Sequence, residues 1–245
     1  MKIVASLKLK VKILLSVTLV AIIAVLSVGS HIIFNRPVTE ASVNVRKNIV
    51  VIIDAGHGGI DGGTSAADGT SEKEINLKIA LKVNDFLKSM GVRTVLTRDR
   101  DISIHSKNAV TIREKKISDI KNRLSIVESN ENSVLLSIHQ NHFSQSKYSG
   151  AQVFYSKNNP DSKIIADIIQ RNIIDYIQPD NSRETKQSGS DIYLLHNVSA
   201  PAVMVECGFL SNPDESEKLQ NENYQQNIAF VISLSILEYI SSAEV

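Results

Sequence analysis

Four side chains in this sequence combine reactive types with positions where an alternating α/β chain builds a crevice: His57, Glu72, His139 and Glu206. His57 lies in the stretch Val50 to Gly63, where four branched apolar residues run into Asp54 and then into glycines, the mark of a buried strand that stops abruptly at a loop. Glycine on both sides of His57 removes Cβ bulk, so a ligand or metal can approach the imidazole closely. His139 follows the apolar run Val134 to Ile138, Glu206 stands near the end of Ala202 to Cys207, and Glu72 opens the helix after the His57 loop. Carboxyl ends of strands are where open α/β sheets bind ligands, so these four can meet on one rim. Two imidazoles and a carboxylate are the ligand set of a catalytic zinc that keeps a fourth position for water. A further carboxylate just outside that set can take a proton from the water, whose pKa the metal lowers to about 7.

Each residue also has a plainer reading. His57 could only hydrogen-bond within its turn, and Glu72 could be a first-turn carboxylate favoured by the helix dipole. Glu206 could pair with a lysine, and His142, three residues on, could take the place of His139.

The elements that must position these side chains alternate. A strand at Asn48 to Asp54 is followed by a helix from about Glu72 to Met90, with a capping box at Ser71 and Glu74. A strand at Val92 to Thr97 precedes a polar loop in which His105 reads as solvated, and a helix from about Ile112 to Ser129 opens with the box Thr111 and Glu114. Further strands are expected at Val134 to Ile138, Ala151 to Tyr155, Ile192 to Leu195 and Ala202 to Cys207. Helices are expected from Asn159-Pro160 to about Gln178, near Pro213 to Leu219 and near Tyr224 to Ile240. The pattern predicts a single three-layer α/β domain over residues 48–245, a mainly parallel or mixed sheet of about six strands with helices on both faces.

Composition bounds the function. The chain has 245 residues, 42% hydrophobic, and a net charge of +1, enough for one full core and without the basic footprint of a nucleic-acid binder. A single cysteine, Cys207, excludes an intramolecular disulfide and a cysteine-rich zinc finger. Residues 1–12 form a basic cytoplasmic segment with Lys2, Lys8, Lys10 and Lys12, and the uncharged run Ile13 to Phe34 is long enough to span a membrane. It reads as a transmembrane anchor; the alternative is a signal sequence cleaved near Val28-Gly29-Ser30. Residues 35–47 read as a linker, and in either case the domain is extracytoplasmic.

Asp54-Ala-Gly-His-Gly-Gly, Ser71-Glu-Lys-Glu-Ile-Asn-Leu, Ser137-Ile-His-Gln-Asn and Val205-Glu-Cys-Gly-Phe-Leu-Ser-Asn, taken in order, resemble the four signatures of the zinc-dependent N-acetylmuramoyl-L-alanine amidases. The resemblance covers about Asn48 to Ile240. It implies one zinc per chain held by His57, Glu72 and His139, Glu206 as the catalytic carboxylate, and cleavage in peptidoglycan of the amide between the lactyl group of N-acetylmuramic acid and L-alanine. Asn141 is a candidate for orienting substrate. A lone catalytic domain on an anchor looks most like the branch acting on spore cortex, where such enzymes help make muramic-δ-lactam for germination. Two departures stand out: Val127-Glu128 replaces the usual Ala-Asn pair, and His196 lies where the family often has arginine. The 66 residues between His139 and Glu206 leave no room for an extra blocking helix, so control is expected from an extracytoplasmic protein partner. Another zinc-dependent wall carboxypeptidase or deacetylase, or a non-enzymatic wall-binding module, are the rival readings.

Overall fold

The computed structural model describes residues 49–242. The basic segment, the expected membrane anchor at 13–34 and the linker lie outside the described residues; within these, no helix is long and apolar enough to cross a membrane. Six strands, β1 (Val50–Ala55), β2 (Arg93–Leu96), β3 (Ser133–Asn141), β4 (Gln152–Tyr155), β5 (Lys186–Gln187) and β6 (Ala202–Phe209), form one sheet in the order β2-β1-β3-β6-β4-β5. β1, β2, β3 and β6 run parallel, whereas β4 pairs antiparallel with β6 and parallel with β5, so the sheet is mixed.

Six helices cover it: α1 (Glu72–Ser89), α2 (Ile112–Glu128), α3 (Asp161–Tyr176), α4 (Tyr193–Asn197), α5 (Pro213–Gln220) and α6 (Glu222–Ser242). The period of two along β1 decides the layering. Val51, Ile53 and Ala55 belong to one core with Ile75, Ile79 and Val83 of α1, Ile165 and Ile169 of α3, and Ile228 and Ile232 of α6. Val50 and Ile52 face the other way, into a smaller core with Val127 of α2 and Leu194 and Leu195 of α4. The expected three-layer domain is what forms.

Two local expectations are corrected. Ile192 to Leu195 is no strand: Tyr193–Asn197 make a single helical segment that buries Leu194 and Leu195, and Lys186–Gln187 supply the sheet's edge instead. A short apolar run has no period to separate the two states, and packing settled it. At Ser71 the hydroxyl donates to Glu74 Oε1 at 2.9 Å and does not accept a backbone N–H, so only the box at Thr111 and Glu114 closes in both directions. β3 and β6 both run past their expected ends, to Asn141 and Phe209, with an irregularity in their pairing between His139 and Asn141. His105 is half-buried rather than solvated, its Nδ1 2.8 Å from Ser103 Oγ.

From β1 the chain crosses outward through α1 to β2, then back over β1 through α2 to β3. The direction of winding therefore reverses between β1 and β3, and their carboxyl ends flank a crevice. His57 follows one of these strands and His139 lies two positions before the end of the other.

Candidate metal centre and active site

The loop after β1 is held by two buried arginines. Arg123 of α2, 2% exposed, donates through Nη1 to Asp54 Oδ1 at 2.5 Å and to the Ala55 carbonyl at 2.8 Å, through Nη2 to the His57 carbonyl at 2.6 Å, and through Nε to Asp119 Oδ2 at 2.6 Å. Arg98 donates to the carbonyls of Ala55, Gly56 and Lys73 at 2.9, 3.0 and 2.8 Å. Three successive carbonyls are thus fixed from below, and His57 is carried in a left-handed conformation with φ of 61°. Such a backbone costs a residue with a Cβ about 1–3 kcal/mol and persists only where its surroundings over-determine it. Burial alone would raise the Asp54 carboxyl, but Arg123 beside it and the Ser137 hydroxyl hold it at about 2.

Above this floor His57, Glu72 and His139 converge, with one ligand-type atom from each lying within 4.8 Å of the others. His57 Nε2 is 3.2 Å from Glu72 Oε2, His139 Nδ1 is 3.0 Å from Glu72 Oε1, and the two rings are 5.0 Å apart. The nitrogen each imidazole offers is set by the neighbours of the other one. His57 Nδ1 is engaged by Asp61 Oδ2 at 2.9 Å, leaving Nε2 for the centre. The Nε2 edge of His139 lies on Gly56, where a Cβ would come within 2.2 Å of it, so Nδ1 faces inward. Burial lowers the His57 pKa, yet the hydrogen bonds it donates to Asp61 and Glu72, and their charges, more than offset this and raise it to about 9. Glu72 is held far below the usual carboxylate range by both imidazoles despite its burial. Two imidazole nitrogens and one carboxylate, each oriented from behind, are a donor set that suits a zinc ion.

Glu206 lies directly across from His139 in the pairing of β3 with β6. Its Oε2 is buried and has no hydrogen-bond partner among the described residues, so no lysine among them bonds to that oxygen. Burial first, and the nearby Glu72 charge second, raise its pKa to about 7 against the opposing pull of the two histidines. An unpartnered carboxylate oxygen held beside three converging ligands is what a proton carrier there requires.

Of the four candidates, the fold brings His57, Glu72 and His139 into one cluster and sets Glu206 across from His139. His142 is exposed and outside the group, while Asn141 sits at the rim with its Oδ1 occupied by the His142 N–H at 2.8 Å. Asp61, Asp54, Arg98 and Arg123 were not identified from the sequence. Asp61 stands four residues from His57 and Asp119 four from Arg123, which is the only local signal these partners offered. A groove of about 960 Å³, lined by Tyr176, Asn181, Glu215, Tyr224 and Phe230, contains none of the four. Converging donors mark this site better than volume does. Solvent reaches both histidines, whose side chains are 25% and 16% exposed.

A family model described as N-acetylmuramoyl-L-alanine amidase matches residues 51–238. The chain belongs to that family. This amidase is 32% identical over 196 residues to the germination-specific N-acetylmuramoyl-L-alanine amidase of Bacillus subtilis, covering 78% of this chain and 80% of the relative. It is 44% identical to the CwlD amidase from Clostridioides difficile, whose structure was solved in complex with the GerS lipoprotein; the match covers 80% of this chain and all of that one, with a TM-score of 0.76. An N-acetylmuramoyl-L-alanine amidase from Clostridium difficile 630 matches at 31% identity over 80% of this amidase and 98% of its own chain, with a TM-score of 0.67.

One glycine bears directly on the centre. Gly63 has φ of 68°, and a Cβ there would lie 2.4 Å from Glu72 Oε2 and 2.8 Å from His57 Cδ2. Gly63→Ala is expected to weaken zinc binding by at least about tenfold, because the methyl displaces a ligand and the backbone is strained. Titration against a zinc chelator checks this, and an unchanged affinity would count against the assigned centre.

Proposed function

We propose that this amidase hydrolyses the amide between the lactyl group of N-acetylmuramic acid and L-alanine in peptidoglycan, with one zinc ion held by His57, Glu72 and His139 and with Glu206 as its proton carrier. The observation that carries the reading is the buried, unpartnered Oε2 of Glu206 beside that three-residue cluster. When bound, zinc supplies Lewis acidity, polarising a carbonyl and lowering the pKa of coordinated water to about 7. Glu206 accepts a proton as water attacks the lactyl carbonyl carbon, and delivers it to the alanine nitrogen as the C–N bond breaks. The products are a lactyl carboxylate and a stem peptide with a free amine. Asp61 holds Nδ1 of His57 so that Nε2 faces the centre, and Asn141, two residues from His139, is the proposed substrate-orienting residue.

The finer role is spore-cortex maturation, in which removal of stem peptides exposes muramic acid for δ-lactam formation. The similarity to a germination-specific relative supports it. Residues 13–34 anchor the chain, which places the catalytic domain outside the cytoplasm. Control falls to an extracytoplasmic protein partner, a role supported by the relative solved together with a lipoprotein.

Product chemistry tests the activity. The full-length chain, loaded with zinc, is incubated with cortex and with vegetative peptidoglycan, and soluble products are followed by mass spectrometry, with and without a candidate partner. Intact stem peptides with a new alanine amino terminus are expected. Shortened stem peptides or free acetate in their place would assign a carboxypeptidase or a deacetylase instead.

A further inference from the structure

Asn76 lies one turn along α1 from Glu72, on the same face, and is completely buried. Its Nδ2 donates to Glu72 Oε1 at 3.1 Å and to the Gly56 carbonyl at 3.2 Å. Both partners only accept, so the orientation of the amide is forced by chemistry. Its Oδ1 then takes the Nε2 hydrogen of Gln140 at 3.2 Å, which turns the other end of that amide, Oε1, into a buried site with no partner. One side chain therefore ties together the residue before His57, the carboxylate of Glu72 and the residue after His139.

We propose that Asn76 is a positioning residue for the metal centre, holding the Glu72 carboxylate in its binding orientation and locking the three ligand-bearing segments to one another. This rests on the reading of His57, Glu72 and His139 as zinc ligands. Glu72 Oε1 is held additionally by the Gln140 N–H at 3.2 Å and Oε2 by the Thr64 N–H at 3.0 Å; of these donors the first belongs to a residue whose side chain also bonds to Asn76, and the second is independent of it. Groups behind a metal ligand typically contribute 10- to 100-fold to metal affinity, because the ligand otherwise pays the ordering cost when the ion binds.

Asn84, two turns further along α1, provides the control: it is also buried, but its Oδ1 accepts from Thr94 Oγ1 on β2, at 2.8 Å and away from the ligands. The zinc dissociation constants of the full-length wild type, Asn76→Ala and Asn84→Ala are measured by chelator competition, alongside their melting temperatures without zinc. Asn76→Ala is expected to bind zinc roughly 10- to 100-fold more weakly than wild type, and Asn84→Ala within about threefold, even where both lower the zinc-free melting temperature alike. Equal affinities in the two variants overturn the inference and leave the ligand assignment standing, whereas a wild type that binds no zinc overturns both. Should Asn76→Ala not fold, Gln140→Met decides: it removes the donor through which Asn76 holds the segment after His139, and weakening on the order of tenfold supports the role while unchanged affinity overturns it.

Discussion

Glu206→Gln is expected to lower kcat by about 10²- to 10⁴-fold while zinc content and melting temperature stay at their wild-type values. The substitution keeps shape and volume and removes only the capacity to take and return a proton. Oε2 has no hydrogen-bond partner among the described residues, so the amide costs the fold no hydrogen bond there. The same residue sets the acid limb of the pH profile. Its pKa of about 7 without zinc is raised mainly by burial and then by Glu72. A bound dication lowers it, since a nearby positive charge favours the carboxylate. The attacking water needs an ionised acceptor, so kcat/KM should rise with pH through a midpoint at or below about 7, and that limb should vanish in the variant. A Glu206→Gln enzyme retaining more than about a tenth of wild-type turnover would show that the proton travels elsewhere.

Arg123→Met should be the most destabilising single change in the domain away from its apolar core, at about 3–5 kcal/mol. The methionine fills much of the space but leaves Asp54 buried opposite an apolar chain, and it frees the carbonyls of Ala55 and His57. In the wild type the Asp54 pKa is depressed from 3.8 to about 2, so its contribution is present above about pH 3.8 and is lost as pH falls through about 2. Without Arg123 burial dominates and that pKa rises, so the variant's deficit should shrink as acidification neutralises the carboxyl. Denaturant unfolding at several pH values measures this directly. Adding Asp54→Asn should recover part of the loss, since the remaining partners, Ser137 and Thr97 hydroxyls, do not require a charge. If the single variant lost less than about 1 kcal/mol, or if the deficit grew in acid, the buried pair would not be what supports the His57 loop.

The limits of the linear reading follow from where each signal resides. β1, α1 and β3 were legible because each combines a run of periodic apolar residues with a sharp stop, and both features are local. Tyr193–Asn197 was misassigned because two adjacent leucines carry no period, and only the room beneath β1 and β3 told them to form a helical turn. The ligand-type residues announced themselves by standing at strand ends among glycines. Arg123 gave no such notice, since a single arginine on a polar helix reads as surface, yet it is among the most buried large side chains here.

By itself, then, the sequence determined the class of fold, five of the six strands along the chain, and the candidacy of His57, Glu72, His139 and Glu206, because strand period, glycine stops and residue type are properties of short stretches. Only the tertiary structure decided that the winding reverses between β1 and β3, which nitrogen each histidine presents, and that Asp54, Asn76, Arg98, Arg123 and Gln140 hold the centre from behind. Those partners lie up to 69 positions apart, as Arg123 and Asp54 do, and hydrogen bonds over such separations exist only once packing has brought the segments together.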